Sequence, residues 1–377
     1  MAKVAAMAIV SSPLVRMTAA LRTSRGRALD VLGIGEISHD LVLQLPPPTA
    51  LRAPLPDKVS AQALTTLGGG QIATAMVAAR RLGLRAGLCG AVGEDAVGRE
   101  LLAELAAEGV ELRGVAVCAQ AQTRLALVLV DAHGDRRVLE WRHPRLQPRA
   151  DEPAATDFFA VRAVHLDGTY PQASLRAARL AKAAGALVSI DLDHALDHAL
   201  DHALEPGVDP AGAPGRAADA GVTAELVALA DLCVVSARFP TELTAEPDPD
   251  RAALRLAART SGFVVVTRGE AGGVAVIAGA LHAFPALRPP VLLDTTACGD
   301  TFHAALLAYL IGQADGDPMG KQGHSTALTE AELASAALRF ASAAAALKCG
   351  ALGRRGCPTR SQVDRFLGTV QLGAADV

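Results

Sequence analysis

The sequence predicts an α/β fold in which helices cover both faces of a mostly parallel, doubly wound sheet, with a small β-sheet lid attached. Short apolar runs alternate with Ala-rich amphipathic segments over most of the 377 residues, as repeated βα units do. Clusters of Gly, Pro and Asp separate these runs, as expected of turns. Residues 123–142 alternate apolar and polar side chains around His133-Gly134-Asp135, which predicts a hairpin outside the parallel sheet.

Composition and charge exclude several classes of protein. The net charge is −3 and no basic cluster stands out, so nucleic acid and anionic membranes are not expected partners. No apolar run reaches the roughly 20 residues that span a bilayer. The six cysteines lack CxxC spacing, as expected of reduced thiols. These features favour a cytoplasmic protein.

The first 29 residues differ from the rest because they contain five basic residues and no acidic one. We expect a disordered extension over residues 1–29, or a start codon placed too early with Met17 as the true start. An organellar transit peptide is the alternative, since such peptides are also basic and poor in acidic residues. The folded domain is expected to cover residues 30–370.

The first half of the domain begins with a buried strand in "ALDVLGIGEISHDLVLQL", followed by a proline-rich loop. The three segments before the hairpin are a helix in "GGGQIATAMVAARRLGL", a strand and turn in "RAGLCGAVGEDAVG", and a helix in "RELLAELAAEGVEL" that Gly109 stops.

The second half alternates strands and helices. The predicted strands lie in "AVHLDG", "ALVSIDLD", "DLCVVS" and "FVVVTRGEAGG", and the predicted helices in "ASLRAARLAKAAG", "DRAALRLAARTSG" and the Ala-rich segments after Thr301 and Glu330. Open α/β sheets bind ligands at the carboxyl ends of their strands. Asp191 and Asp193, which end one strand, are therefore expected at the ligand edge.

The four residues Asp-His-Ala-Leu occur three times in a row from Asp193 to Leu204. One interpretation is a metal site, because histidines four residues apart on a helix chelate metals; the histidines are His194, His198 and His202. The other interpretation is a tolerated insertion, since no ligand from another segment can be named. We favour the second and expect an inserted helix or loop over residues 193–220.

The stretch "LLDTTACGDTFHAALLAYL", from Leu292 to Leu310, carries the most specific chemistry. An apolar strand is expected to end at Asp294, before a loop of small residues and a helix. Backbone N–H groups that converge at a helix N-terminus bind anions. Asp300 in the same turn is a poor anion ligand but a good base, which suits phosphoryl transfer. The alternative is that Asp300 caps the helix.

Two motifs resemble the signatures of the PfkB, or ribokinase-like, family of carbohydrate kinases. "DTTACGDTF" resembles the C-terminal signature D-T-x-G-A-G-D-x-F, and "GGGQIATAMVAARRLGLRAGLCGAVGEDAVGRELLAELAAEGV" is similar to the N-terminal signature. "GIGEISHDLV" and "FVVVTRGEAGGVAV" match the first strand and the nucleotide-side strand. The resemblance covers about Asp30 to Leu367 and is nearest to the sugar and sulfosugar kinase branch.

The resemblance implies an ATP-dependent kinase of a small sugar that uses Mg²⁺ and, as in some members, K⁺. The catalytic residues it implies are Asp300 as general base and an anion hole of Ala297, Cys298 and Gly299. The substrate contacts are Asp40, Gly69, Gly70, Thr74 and Asp193. The nucleotide contacts are Thr267, Gly269, Gly350 and Gly353, and the monovalent-cation ligands are Asp294 and Thr296.

The resemblance also implies a lid built from residues about 41–66 and 123–142, and a homodimer joined through it. Thr74 stands where many members have Asn. The N-x-x-E magnesium motif is missing after "DLCVVS", so Glu242 is the nearest Mg²⁺ candidate. A binding regulator that has lost catalysis and a nucleoside kinase are the alternatives to an active sugar kinase.

Several other side chains keep two interpretations each. Cys298 is a reactive thiol with a pKa lowered by the helix N-terminus, or an inert packing thiol, which we favour. His303 either reaches the substrate or caps a helix turn. Arg136, Arg137 and Arg142 in the hairpin either bind an anionic sugar or are solvated charges, and we favour solvated charges.

Overall fold

A computed structural model describes residues 12–52, 54–131, 136–149, 160–193, 214–316 and 328–370. Its strands are β1 (Leu29–Ile34), β2 (Ser38–Gln44), β3 (Ala63–Gly69), β4 (Ala86–Gly93), β5 (Glu111–Cys118), β6 (Leu125–Val130), β7 (Arg136–Trp141), β8 (Val161–Leu166), β9 (Leu187–Ile190), β10 (Leu232–Ser236), β11 (Phe263–Thr267), β12 (Gly273–Ile277) and β13 (Ala280–Phe284).

The helices alternate with these strands over most of the chain. They are α1 (Pro13–Thr23), α2 (Gln71–Arg81), α3 (Ala96–Ala107), α4 (Pro171–Ala183), α5 (Pro214–Leu229), α6 (Arg238–Thr244), α7 (Pro249–Ala257), α8 (Cys298–Asp315), α9 (Glu330–Lys348) and α10 (Arg360–Thr369). No helix among the described residues is both long and apolar enough to cross a membrane.

The larger sheet has nine strands in the order β13-β12-β11-β10-β9-β8-β1-β4-β5. Its strands pair in parallel from β5 to β11, and β12 and β13 add an antiparallel edge. The inner strands are buried on both faces, as the apolar runs predict. One core lies under α1, α2, α3, α8 and α9, and the other under α4 to α7. The predicted fold class is therefore confirmed.

A separate four-stranded sheet has the order β3-β2-β6-β7. Its central pair, β2 and β6, runs parallel, while β2–β3 and β6–β7 are antiparallel. The predicted hairpin is present as β6 and β7, with Leu125 paired to Trp141. This small sheet has the position in the chain that was predicted for the lid.

Helix α1 replaces the disordered extension that composition predicts. Ser12 caps the helix, and Leu14, Met17 and Leu21 are buried against the core. The expectation of disorder is wrong for this part of the chain, because apolar side chains three to four residues apart form one face that packs against α8 and α9. A start at Met17 would delete the cap and the first turn. Residues 1–11 lie outside the described residues.

The strand expected to end at Asp294 is also absent. Val291, Leu292 and Leu293 form no strand, and Leu293 is 65% exposed. The physical reason is local: Pro289 and Pro290 precede them, and a proline has no N–H for a sheet ladder. The Leu293 N–H instead donates to the carbonyl of Cys349 at 2.8 Å.

The Asp-His-Ala-Leu repeat after Asp193 lies outside the described residues, as do His194, His198 and His202. Helix α5 begins at Pro214, inside the segment predicted to be an inserted helix or loop. The metal site and the insertion both stay predictions.

Leu21→Ala tests whether α1 is part of the folded core. The substitution removes a fully buried side chain and should lower the free energy of unfolding by about 2–5 kcal/mol. Arg22→Ala, on the exposed side of the same helix, should change it by less than about 0.5 kcal/mol. Urea unfolding followed by circular dichroism measures both. Equal effects of the two substitutions would contradict the docking of α1.

Candidate active site

The first turn of α8, where the anion hole was predicted, begins without a side-chain cap. Ala297 precedes the helix with a left-handed φ of 66°, and no side chain caps the helix. Asp300 is the third residue inside the helix, so the alternative in which Asp300 is the cap is wrong. The first N–H groups of a helix have no partner within it, and the helix dipole adds positive potential there.

Gly299 keeps this end of the helix open. A Cβ added at Gly299 would meet none of the described atoms within 4 Å. The Cys298 N–H contacts the Thr295 carbonyl at 3.4 Å, which is a long and weak bond. The loop of Ala297, Cys298 and Gly299 is thus made of small side chains and is accessible to an anion.

Asp294 joins this loop to two other segments. Its carboxylate accepts hydrogen bonds from the Gly353 N–H at 2.8 Å, from Lys348 Nζ at 3.0 Å and from Arg136 of the lid hairpin at 3.1 Å. Lys348 is fully buried. Burial raises the pKa of Asp294, but the Gly353 N–H and the Lys348 ammonium lower it more, so the pKa lies below its usual value and the carboxylate stays ionised.

The oxygens predicted to hold a monovalent cation are already in contact with cationic side chains. Lys348 Nζ donates to the Asp294 carbonyl at 2.9 Å as well as to its carboxylate. Arg136 donates to the hydroxyls of Thr295 and Thr296 at 2.6 and 2.5 Å. Two cations on this set of oxygens leave no uncompensated negative charge, so the set does not fit K⁺.

Four of the predicted substrate contacts, Asp40, Gly69, Gly70 and Thr74, come together at the base of the small sheet. A Cβ at Gly69 would lie 2.1 Å from Asp40 Oδ2, so only glycine permits this approach. Gly70 has φ 94° and directly precedes α2, and Thr74 is buried in the first turn of that helix. Ser38 donates to Asp40 at 2.7 Å. Burial raises the pKa of Asp40 despite this bond.

A polar cluster, made of half-buried Gln71 and buried Asp191, His303 and His165, lies at the end of β9 and beside α8. Asp191 Oδ2 accepts from Gln71 Nε2 at 3.3 Å and is 3.2 Å from His303 Nε2. The rings of His303 and His165 are 5.2 Å apart. Burial lowers the pKa of His303 to about 3, so this ring is neutral near pH 7. Gln71 Oε1 and His303 Nδ1 are buried without a hydrogen-bond partner among the described residues.

Asp193 and the nucleotide-side residues occupy neighbouring strand ends. The Asp193 carboxylate accepts the Ser236 N–H at 2.9 and 3.0 Å, which ties the end of β9 to β10. Thr267 ends β11 and pairs with Ser236 across the sheet. Gly269 follows with φ 60°. These residues therefore lie on the ligand edge that the parallel strands predict.

Glu242 does not have the surroundings of a metal ligand. It lies in α6 and forms an exposed ion pair with Arg238, with Nε and Oε1 2.5 Å apart. Across the described part of the chain, no group of three or more His, Cys, Asp or Glu side chains is arranged to hold a metal ion. The missing N-x-x-E motif is thus not replaced by another cluster there.

The N-terminal signature connects the sheet to the lid. Asp95 caps α3, where it accepts the Gly98 N–H at 2.7 Å, and it also accepts the Thr123 N–H at 2.7 Å. The Thr123 hydroxyl accepts the Gly93 N–H at 3.0 Å. Because Thr123 lies two residues before β6, this motif fixes the point where the lid hairpin begins.

The three hairpin arginines bond within the chain. Arg136 contacts the loop before α8, Arg137 donates to the Leu51 carbonyl at 2.8 Å, and Arg142 pairs with Glu36 at 2.6 Å. Arg136 and Arg137 stay exposed, as solvated charges would, but each of the three side chains also has an acceptor within the chain. The reason is tertiary: the chain folds back so that these side chains meet acceptors from distant segments.

A cavity of 580 Å³ lies behind the Gly350 segment, between the end of α9 and α10. Its lining includes Arg81, Arg355 and Arg365 but, of the predicted site residues, only Gly350. The residues at the start of α8 do not line this cavity and lie instead at the open edge of the sheet.

Sequence reasoning missed Lys348 and Gln71 as site residues. Lys348 is the single charged residue near the end of a long Ala-rich helix, and a lone charge after a run of alanines could have marked it as a candidate. Gln71 follows the glycine pair directly, so its position next to the predicted sugar contacts also marks it.

Comparison with known proteins identifies the family. A fructokinase of Klebsiella pneumoniae is 32% identical over 70% of this chain and 83% of its own length. Fructokinase-1 of Oryza sativa subsp. japonica is 29% identical over 87% of this chain and 92% of its length.

Solved structures agree on the fold. The fructokinase of Xylella fastidiosa with bound ATP gives a TM-score of 0.68 at 24% identity, covering 90% of this chain and 98% of that one. Arabidopsis thaliana ribokinase, complexed with ribose and ATP, gives 0.65 at 20% identity, covering 91% of this chain and all of that one. The family model described as pfkB family carbohydrate kinase matches residues 31–360, and the chain belongs to that family.

Proposed function

We propose that this chain is an ATP-dependent sugar kinase that transfers the γ-phosphoryl group of ATP to a hydroxyl of a small carbohydrate. The observation that carries the proposal is the open first turn of α8, where uncapped N–H groups and Asp300 share one turn. In phosphoryl transfer, a protein acts mainly by positioning the reacting groups and by compensating the charge that develops on them. The N–H groups of Ala297, Cys298 and Gly299 would serve the phosphate, and Asp300 would accept the proton of the sugar hydroxyl.

The sugar would bind between the base of the small sheet and the start of α2. Asp40 and the glycine pair offer a carboxylate and closely approaching backbone. The buried unpaired atoms of Gln71 and His303 support a polar ligand beside them, because buried polar atoms are normally hydrogen-bonded. The relatives named fructokinase favour a hexose such as fructose as the first substrate to test.

ATP would lie along the strand ends that carry Thr267 and Gly269, with its phosphates toward α8. The open space at Gly299 fits a phosphate oxygen. Gly350 and Gly353 follow α9, and the bond from the Gly353 N–H to Asp294 places their turn beside this loop. Mg²⁺ would arrive with ATP, and we assign it no side-chain ligand because Glu242 is paired with Arg238.

Lys348 would take the place that a monovalent cation fills in some relatives. Its ammonium already compensates the Asp294 carboxylate and carbonyl. Arg136 adds a second positive charge from the lid. We therefore propose that catalysis needs no K⁺.

A homodimer through the small sheet also stays a proposal. The large apolar side chains of Val138, Leu139 and Trp141 on β7, and Leu64 on β3, are each 44% or more exposed. Covering them with a second copy would remove this apolar surface from water.

Asp300→Asn tests the proposed base. The amide cannot accept the proton, so turnover should fall by about 10²- to 10⁴-fold while sugar binding is retained. A coupled assay of ADP formation measures turnover, and calorimetry measures sugar binding. Asp364→Asn, on α10 and paired with Arg360, is the matched control and should leave both unchanged. Near-normal turnover in Asp300→Asn would contradict the mechanism.

Replacing K⁺ tests the role of Lys348. Turnover in KCl and in tetramethylammonium chloride at equal ionic strength should agree within about twofold, because the buried ammonium supplies the charge. Activation by K⁺ of tenfold or more would contradict this assignment.

A substrate screen separates the sugar kinase from the alternatives. ADP formation with fructose, ribose, sugar phosphates, sulfosugars and nucleosides should be fastest with a free sugar. Turnover confined to nucleosides would favour a nucleoside kinase. Binding of sugar and ATP without any turnover would favour a regulator that has lost catalysis.

A further inference from the structure

Two thiols meet at the edge of the candidate phosphate site. Cys298 Sγ and Cys349 Sγ are 3.4 Å apart. Cys298 is the first residue of α8 and is partly exposed, while Cys349 directly follows α9 and is buried. A disulfide bond is about 2.05 Å long, so the sulfurs need to approach by about 1.4 Å.

The backbone already holds these two segments side by side. The Cys349 carbonyl accepts the N–H groups of Leu293 and Asp294 at 2.8 and 3.2 Å. Both cysteines lie at helix ends, where the backbone adjusts more easily than inside a helix. A covalent bond between them would therefore join neighbours and would not have to bring distant segments together.

We propose that Cys298 and Cys349 form a reversible disulfide that switches off the kinase, with a small disulfide such as oxidised glutathione as the oxidant. The effect on activity rests on the proposed function, whereas formation of the bond does not. Cys298 contributes one N–H to the proposed anion hole. Drawing its side chain toward Cys349 would move that N–H away from the position of the transferring phosphate.

The exchange proceeds in two balanced steps. The Cys298 thiolate attacks one sulfur of oxidised glutathione, forming a mixed disulfide and releasing one glutathione thiolate. The Cys349 thiolate then attacks the Cys298 sulfur and releases the second glutathione. Two electrons pass from the protein thiols to the small disulfide, and the two thiol protons end on the two released glutathiones.

The surroundings set the rate of the first step. Burial, with Cys349 beside it, raises the pKa of Cys298, while Lys348 acts in the opposite direction. The alternative in which the helix N-terminus lowers this pKa is therefore wrong, because burial outweighs the helix dipole. The first attack should be slow near pH 7 and faster as the pH rises, and the second step is favoured by proximity.

The other cysteines supply the control. Cys118 is partly exposed, and its thiol contacts the Gln147 carbonyl at 3.3 Å. Cys357 is buried, with its sulfur 3.5 Å from the Thr301 hydroxyl. Among the described contacts, Cys298 with Cys349 is the one between two thiols.

The test exposes the reduced full-length protein to oxidised glutathione at pH 8 and analyses it by mass spectrometry and by ADP formation. The wild type should lose two hydrogens, yield a linked Cys298–Cys349 peptide, and lose activity by more than about tenfold, since loss of one such donor costs about a hundredfold. Dithiothreitol should restore both. Cys118→Ser should behave like the wild type. Cys349→Ser should yield no linked peptide and should retain glutathione on Cys298.

Two results would overturn the switch: no linked peptide in the wild type, or a linked protein with full activity. The linked peptide is measured without any turnover assay. Absence of turnover in the reduced protein would therefore count against the proposed function, and absence of the peptide against the disulfide.

Discussion

The carboxylate of Asp294 is the contact on which the candidate site depends. It binds the buried ammonium of Lys348, the backbone of Gly353 and the lid guanidinium of Arg136. Removing one partner of a buried ion pair typically costs about 3–5 kcal/mol, because it leaves the other charge uncompensated. The pair with Lys348 therefore fixes the loop before α8 relative to the end of α9, and Arg136 connects the same loop to the lid.

The position of that loop determines what α8 can do. A left-handed Ala297 turns the chain into the helix without using a side-chain cap. The first N–H groups thus stay available, and Asp300 projects from the same turn. Cys298, whose thiol contacts that of Cys349, belongs to the same segment, so one short segment combines the proposed anion hole, the proposed base and one thiol of the proposed disulfide.

Much of the fold could be predicted because apolar periodicity and turn residues determine strands and helices locally. The N-terminal helix was missed because the basic composition outweighed a three-residue apolar stripe. The strand predicted to end at Asp294 is absent because prolines precede it and the Cys349 carbonyl accepts the N–H groups of Leu293 and Asp294. Resemblance proposed Asp40, Gly69 and Asp300 as site residues. It could not reveal the ion pair of Lys348 with Asp294 or the contact of Asp191 with His303, since these side chains are distant in sequence and meet only after folding.

A crystal structure with a sugar, ADP and aluminium fluoride would show where the transferring phosphoryl group and the sugar hydroxyl lie relative to α8. Aluminium fluoride mimics the phosphoryl group in the transition state of its transfer. We expect the aluminium fluoride to lie against the N–H groups at the start of α8 and Asp300 to be within hydrogen-bond distance of a sugar hydroxyl. Aluminium fluoride bound away from α8, or an Asp300 that contacts no hydroxyl of the sugar, would contradict the proposed mechanism.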